Sequence, residues 1–191
     1  TVDIDWGDGS DIETITLAAS ASGSQAFTQT HQYVDDNPTS TASDSYTITA
    51  TATDDDTGTG SASTTVQVSN VAPVVALIAV TAIVENGIAT LTGNVTDLGT
   101  EDTFTVDINW GDGSAVQTIT LAVSATGSQS FTQTHQYVDD NPTATASASY
   151  TITATATDDD TGTGSMSTSV KISNVAPVVA LIAVTAIVEN G

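Results

Sequence analysis

The sequence has no cysteine and a single basic residue, Lys171, against 23 acidic residues, so its formal net charge is −22. A surface with this charge repels phosphate groups, which excludes nucleic acids and anionic membrane surfaces as simple electrostatic partners. Without cysteine we expect neither a disulfide framework nor a transition-metal cluster. No apolar run reaches the roughly 18 residues that a membrane-spanning helix needs, so no membrane insertion is predicted within this sequence.

The sequence is also poor in groups that could carry out catalysis. Its two histidines are His31 and His135. Each lies two residues before a tyrosine on a predicted strand, and we interpret both as structural, hydrogen-bonding residues. No nucleophile elbow and no glycine-rich phosphate loop is present. The chain is therefore predicted not to be an enzyme.

What the sequence does contain is a long tandem repeat. Residues 1–87 recur as residues 105–191, a shift of 104 positions that matches about 74 of 87 residues. A period of this length is typical of a self-contained domain. The joints at residues 70–73 and 174–177, both Asn-Val-Ala-Pro, separate strand-like runs, and proline favours an extended, stiff connection there.

These joints predict three segments: residues 1–70 as the C-terminal part of one repeat, residues 71–174 as a complete repeat, and residues 175–191 as the first strand of the next. The incomplete first repeat allows two interpretations. The chain is an excerpt from a longer array, or it is a subunit that completes its first domain with a strand from a neighbouring molecule.

The local pattern predicts β-structure throughout. In Tyr150–Thr157, apolar residues alternate with threonine, as in a strand with one buried face. Seven strands in about 100 residues are typical of a β-sandwich. We expect its core to rest on Trp110, Phe104, Phe131 and Tyr137. The other six predicted strands are Val74–Val84, Ala89–Val95, Thr103–Trp110, Val116–Val123, Ser128–Val138 and Ser165–Ser173.

Three elements of the complete repeat resemble the PKD (polycystic kidney disease) repeat in their order and spacing. They are the run Val106–Ser114, which contains Trp-Gly-Asp-Gly-Ser, then His135–Tyr137, then Tyr150–Ser165. The resemblance implies an all-β chain of tandem immunoglobulin-like, PKD-type, seven-stranded β-sandwiches. It also implies an extracellular protein, in which such repeats act as spacers, adhesion modules or accessories of secreted enzymes, and it implies no catalytic residues.

Acidic residues cluster in loops that an immunoglobulin-like topology brings to one pole of the domain. In a head-to-tail array, the lower pole of the preceding repeat would face this upper pole, while Glu85, Asp112 and the pair at 139–140 would lie at the opposite end. The candidate metal ligands are Asp97, Glu101, Asp102, Asp158, Asp159 and Asp160 from the complete repeat, and Asp8, Asp35 and Asp36 from the repeat before it.

Hard oxygen ligands in this number suit calcium, which takes six to eight oxygens in flexible geometry. The alternative is that these residues are solvated parts of turns, because aspartate favours turns and the spacing does not match an EF-hand loop. Calcium is therefore predicted as the cofactor, bound at the pole where two repeats meet.

The predicted function is a non-catalytic structural repeat of a long, calcium-stiffened extracellular fibre, stalk or adhesin shaft. The near-identity of the repeats favours this function, because a binding surface would let repeats diverge outside its site. The alternatives are an adhesive or polysaccharide-binding module and an accessory spacer of a secreted hydrolase. The expected partners are neighbouring repeats of the same chain, identical chains in a fibre and a surface polysaccharide, at an extracellular or cell-surface location.

Overall fold

The computed structural model describes residues 1–36, 39–140, 144–183 and 185–189, and its regular structure is entirely β-strand. No helix among these residues is long and apolar enough to cross a membrane. The all-β prediction is confirmed. The strands are β1 Val2–Asp5, β2 Glu13–Ile15, β3 Ser43–Thr53, β4 Thr59–Ser69, β5 Val74–Leu77, β6 Ile83–Val84, β7 Gly87–Thr96, β8 Phe104–Asn109, β9 Gln117–Leu121, β10 Ser128–Tyr137, β11 Ser147–Asp158 and β12 Thr163–Ser173.

The central segment, residues 71–174, is a β-sandwich. One sheet has the order β10-β7-β5 and the other the order β6-β12-β11-β8-β9. Alternate residues of β8 are buried, from Phe104 to Ile108, as expected for strands with one face in a core. The core joins side chains of both sheets, such as Leu91 from the first and Ile152 from the second. The sandwich prediction is confirmed.

The predicted aromatic anchors all lie in this core. Trp110 and Tyr137 are 1% exposed, and Phe104 and Phe131 are also buried. The Tyr137 hydroxyl donates a 2.7 Å hydrogen bond to the Trp110 carbonyl oxygen, and the Trp110 indole donates to Gln117 Oε1 at 3.1 Å. The two largest anchors therefore bury their polar groups with partners, as buried tyrosine and tryptophan require.

One predicted strand is corrected by the structure. The run Val74–Val84 forms two strands, since β5 pairs antiparallel with β7 in one sheet whereas β6 pairs parallel with β12 in the other. The described part of the central segment therefore has eight strands where seven were predicted. The run is apolar across the switch between sheets, so the sequence pattern does not reveal it.

The first segment, residues 1–70, forms a single sheet with the order β2-β1-β3-β4. Its β3–β4 ladder pairs Tyr46 with Val66, and 104 positions later the β11–β12 ladder pairs Tyr150 with Val170. The segment equivalent to β10 forms no strand, because β7, its pairing partner, has no counterpart in residues 1–70. Residues 175–183 and 185–189 form no strand either, and the rest of that predicted strand lies outside the described residues.

Candidate metal centre

The upper pole of the central segment consists of the β7–β8 connection and the β11–β12 hairpin. The end of β11 brings Asp158 opposite Phe104 of β8, so the two loops lie side by side. The backbone amide of Thr103 donates to Asp159 Oδ1 at 2.9 Å, and that of Gly162 donates to Asp158 Oδ1 at 2.6 Å. Backbone amides therefore fix the carboxylates of the hairpin, and the predicted meeting of these loops is observed.

The lower pole of the first segment, residues 33–36, packs against this upper pole. The amide of Thr100 donates to the Val34 carbonyl oxygen at 3.2 Å. In the joint, the side-chain amide of Asn70 donates to Asp158 Oδ2 at 2.9 Å. These hydrogen bonds position the aspartates that follow Val34 next to those of the hairpin.

Carboxylates from both segments converge at this contact. In each of three groups, one oxygen of every member lies within 4.8 Å of the others. Four members are nearly inaccessible to solvent: Asp102 is 2% exposed, Asp36 3%, Asp160 4% and Asp158 5%. The groups are Asp35–Asp36–Asp160 across the contact, and Asp97–Asp102–Asp158 and Asp102–Asp159–Asp160 within the central segment.

Burial and mutual repulsion raise the pKa of carboxyl groups at this contact. Burial, reinforced by the charges of Asp97 and Asp35, raises the pKa of Asp102 to about 8. Burial and the charge of Asp36 raise the pKa of Asp160 to about 6. The only lysine of the chain, Lys171, is exposed on β12 opposite Ser149. Without a bound cation, the raised pKa of Asp102 therefore favours a protonated carboxyl group near neutral pH.

Several oxygens of the group are buried without a hydrogen bond. They are Asp36 Oδ2, Asp97 Oδ2 and Asp102 Oδ2. A buried carboxylate oxygen is costly unless a donor or a cation compensates it. A cavity of about 100 Å³ is lined by Asp36 and Asp102, and also by Tyr33, Asn70 and Gly99. It has room for waters that would complete a coordination shell. This arrangement can bind a divalent cation through oxygen ligands.

Seven of the nine predicted ligands come together in this way. Glu101 is exposed and joins none of the acidic groups found among the described residues. Asp8 lies elsewhere, because Ser10 and His31 hold it within its own turn: Ser10 Oγ donates to its Oδ1 at 2.6 Å and His31 Nε2 to its Oδ2 at 2.6 Å. Burial alone would raise the pKa of Asp8, but these hydrogen bonds lower it to about 2.

Both histidines have the hydrogen bonds predicted for them. His135 Nε2 donates to Asp112 Oδ2 at 2.7 Å, and its ring stacks on Trp110 with centroids 4.9 Å apart. The His31 ring stacks on Trp6 in the same way. Each histidine therefore ties the Gly-Asp-Gly turn to the tryptophan that precedes this turn.

Sequence reasoning missed two contributors. In the sequence Asn70 stands out only as part of the joint, whereas in the structure its side-chain amide donates to the candidate ligand Asp158. Glu85, Asp139 and Asp140 form a further acidic group at the lower pole of the central segment, and they were not predicted as ligands. The repeat itself indicates these residues as candidate ligands, because Asp139 and Asp140 lie one period after the predicted ligands Asp35 and Asp36.

Comparison with protein-family models gives no match for this chain, and comparison with curated proteins gives no match either. The resemblance to the PKD repeat therefore stays a prediction.

Proposed function

We propose that this chain is part of a structural shaft, made of tandem PKD-type sandwiches, in which calcium stiffens the contact between consecutive repeats. The observation that carries the proposal is the group formed by Asp35, Asp36 and Asp160, in which Asp36 and Asp160 are buried. Its members come from two segments, and Asp36 Oδ2 has no hydrogen bond there. A cation at this position would link the two segments directly.

The groups support two kinds of cation position. The group of Asp97, Asp102 and Asp158 belongs to the central segment alone, so a cation there orders the upper pole. The group that includes Asp36 and Asp160 crosses the contact, so a cation there holds the preceding segment in place. Without cations, the charges at the two poles repel each other and the contact loosens.

The joint itself limits bending. A Cβ on Gly164 would overlap with the carbonyl oxygen of Pro73, because the joint runs directly over this glycine. Asn70 adds its hydrogen bond to Asp158. These contacts set the direction of the shaft, and calcium adds to their stiffness.

An extracellular or cell-surface location fits this mechanism. Extracellular modules commonly bind calcium with dissociation constants of roughly 10⁻⁴–10⁻³ M, matched to the calcium available there. The charge of −22 also requires bound cations or salt to offset self-repulsion. The role is non-catalytic, with neighbouring repeats and identical chains in a fibre, stalk or adhesin as partners.

Small-angle X-ray scattering of the chain, in calcium and then in excess chelator, tests the proposal. We expect the chain to be rigid in calcium and to show a broader distribution of intramolecular distances without it. In the double variant Asp36→Asn/Asp160→Asn, the distribution of intramolecular distances should be the same with and without calcium. The control Asp55→Asn/Asp56→Asn removes the same amount of charge from the exposed hairpin that lies one period before Asp159 and Asp160, and it should behave like the parent. Equal distance distributions for the parent with and without calcium would refute a calcium-stiffened contact.

A further inference from the structure

The lower pole of the central segment carries an acidic group of its own. One oxygen each of Glu85, Asp139 and Asp140 lies within 4.8 Å of the others. Asp140 is 6% exposed, and its Oδ2 is buried without a hydrogen bond. As at the upper pole, a buried carboxylate oxygen points to a missing positive partner.

The backbone holds this group in place. The amide of Glu85 donates to the Ser173 carbonyl oxygen at 2.9 Å, and the amide of Asp140 donates to Asp139 Oδ1 at 2.8 Å. Glu85 Oε1 accepts a 2.8 Å hydrogen bond from the amide of Val175. Val175 is the second residue after β12 and belongs to the outgoing joint. The acidic group and the outgoing joint are therefore connected through one side chain.

The same pole occurs one period earlier in a contact that the structure shows. Asp139 and Asp140 correspond to Asp35 and Asp36, which lie against Asp160 of the following segment. The local structure also corresponds: the Tyr150 hydroxyl donates to the Asp139 carbonyl oxygen at 3.4 Å, as Tyr46 does to Asp35 at 3.4 Å.

We infer that Glu85, Asp139 and Asp140 form a further divalent-cation site, which accepts the acidic upper pole of another copy of the repeat. The inference rests on the proposed function and adds Glu85 as a ligand. Because Glu85 also binds the Val175 amide, a cation at this site fixes the direction in which the chain leaves the segment. Cation binding and docking are then coupled at one place.

Tyrosine-sensitised terbium luminescence on the full chain tests the site, with Tb³⁺ as the probe. The Tyr150 hydroxyl bonds the Asp139 carbonyl oxygen at the new site, and Tyr46 lies in the same way beside Asp35 at the contact between segments. Tyr150→Phe and Tyr46→Phe should therefore each weaken the emission from one of the two sites. We expect Glu85→Gln/Asp140→Asn to abolish the emission that depends on Tyr150 and to keep the emission that depends on Tyr46. The glutamine keeps an oxygen acceptor for Val175.

The matched variant Asp36→Asn/Asp160→Asn should have the opposite effect. If Glu85→Gln/Asp140→Asn leaves the titration unchanged while the matched variant reduces it, the new site is refuted and the proposed function stands. If neither variant changes the titration, both proposals fail. Circular dichroism in chelator confirms that the variants remain folded.

Docking is tested on the chain lengthened by one period. Because residues 174–191 repeat residues 70–87, adding a copy of residues 88–174 after Gly191 creates a second complete repeat. Scattering should show a calcium-dependent rigid rod that Glu85→Gln/Asp140→Asn loosens at its second contact. An equally rigid rod with this variant would show that Glu85 and Asp140 do not support docking.

Discussion

Asp160→Asn should raise the stability of the chain without calcium and reduce the further stabilisation that calcium provides. Burial and neighbouring charges raise the pKa of Asp160 from 3.8 to about 6. A raised pKa means that the folded metal-free chain loses stability as pH rises from about 4 to 6, and the loss stays constant above pH 6. At about 1.4 kcal/mol for each unit of pKa, the loss is on the order of 3 kcal/mol at pH 7.5.

Thermal unfolding at pH 7.5 in chelator and in millimolar calcium measures this effect. Asparagine carries no charge, so the midpoint in chelator should rise by about 6–12 °C, at about 2–4 °C per kcal/mol for a chain of this size. The gain from calcium should shrink, because a ligand shared by two groups is lost. Asp56→Asn, the same change in the exposed hairpin one period earlier, should do neither. A lower midpoint for Asp160→Asn in chelator, or equal behaviour of the two variants, would refute this reasoning.

Three further predictions concern protons, the joint and the turn. Burial raises the pKa of Asp102 to about 8 without metal, so calcium binding at pH 7 should release about one proton. The calorimetric enthalpy of binding should then depend on the ionisation enthalpy of the buffer, and an enthalpy independent of buffer would contradict this prediction. Gly164→Ala should cost about 1–3 kcal/mol of unfolding free energy, since its methyl group would press on the joint. Gly60→Ala should cost little, because a Cβ there would have nothing within 4 Å. Equal losses for the two variants would argue against close packing of the joint on Gly164. Burial alone would raise the pKa of Asp112, but hydrogen bonds from its own turn and from His135 lower it, so Asp112→Asn should cost about 1–3 kcal/mol at pH 7. That cost should vanish as pH falls through the lowered pKa. Urea unfolding measures it, and a cost independent of pH would count against hydrogen bonds to the ionised Asp112 carboxylate.

The sequence predicted the candidate site at the level of loops. The period of 104 residues and the strand pattern placed the loop of Asp97 and Asp102 beside the hairpin of Asp158, and placed Asp35 opposite both. Those relations follow from chain connectivity, because neighbouring strand ends bring their loops together. The direction of individual side chains does not follow from it: Glu101 faces solvent, and Asp8 is bound by its own turn and His31.

The sequence alone determined that this chain is all-β, that it repeats, and that it carries far more acid than base. These properties are local or additive, since alternation, period and charge can be counted along the chain. Only the tertiary structure decided which carboxylates lose water and lack a donor. Asp36 and Asp160 are buried and meet where two segments pack across the joint. The free energy of a buried charge depends on everything around it rather than on its neighbours in sequence.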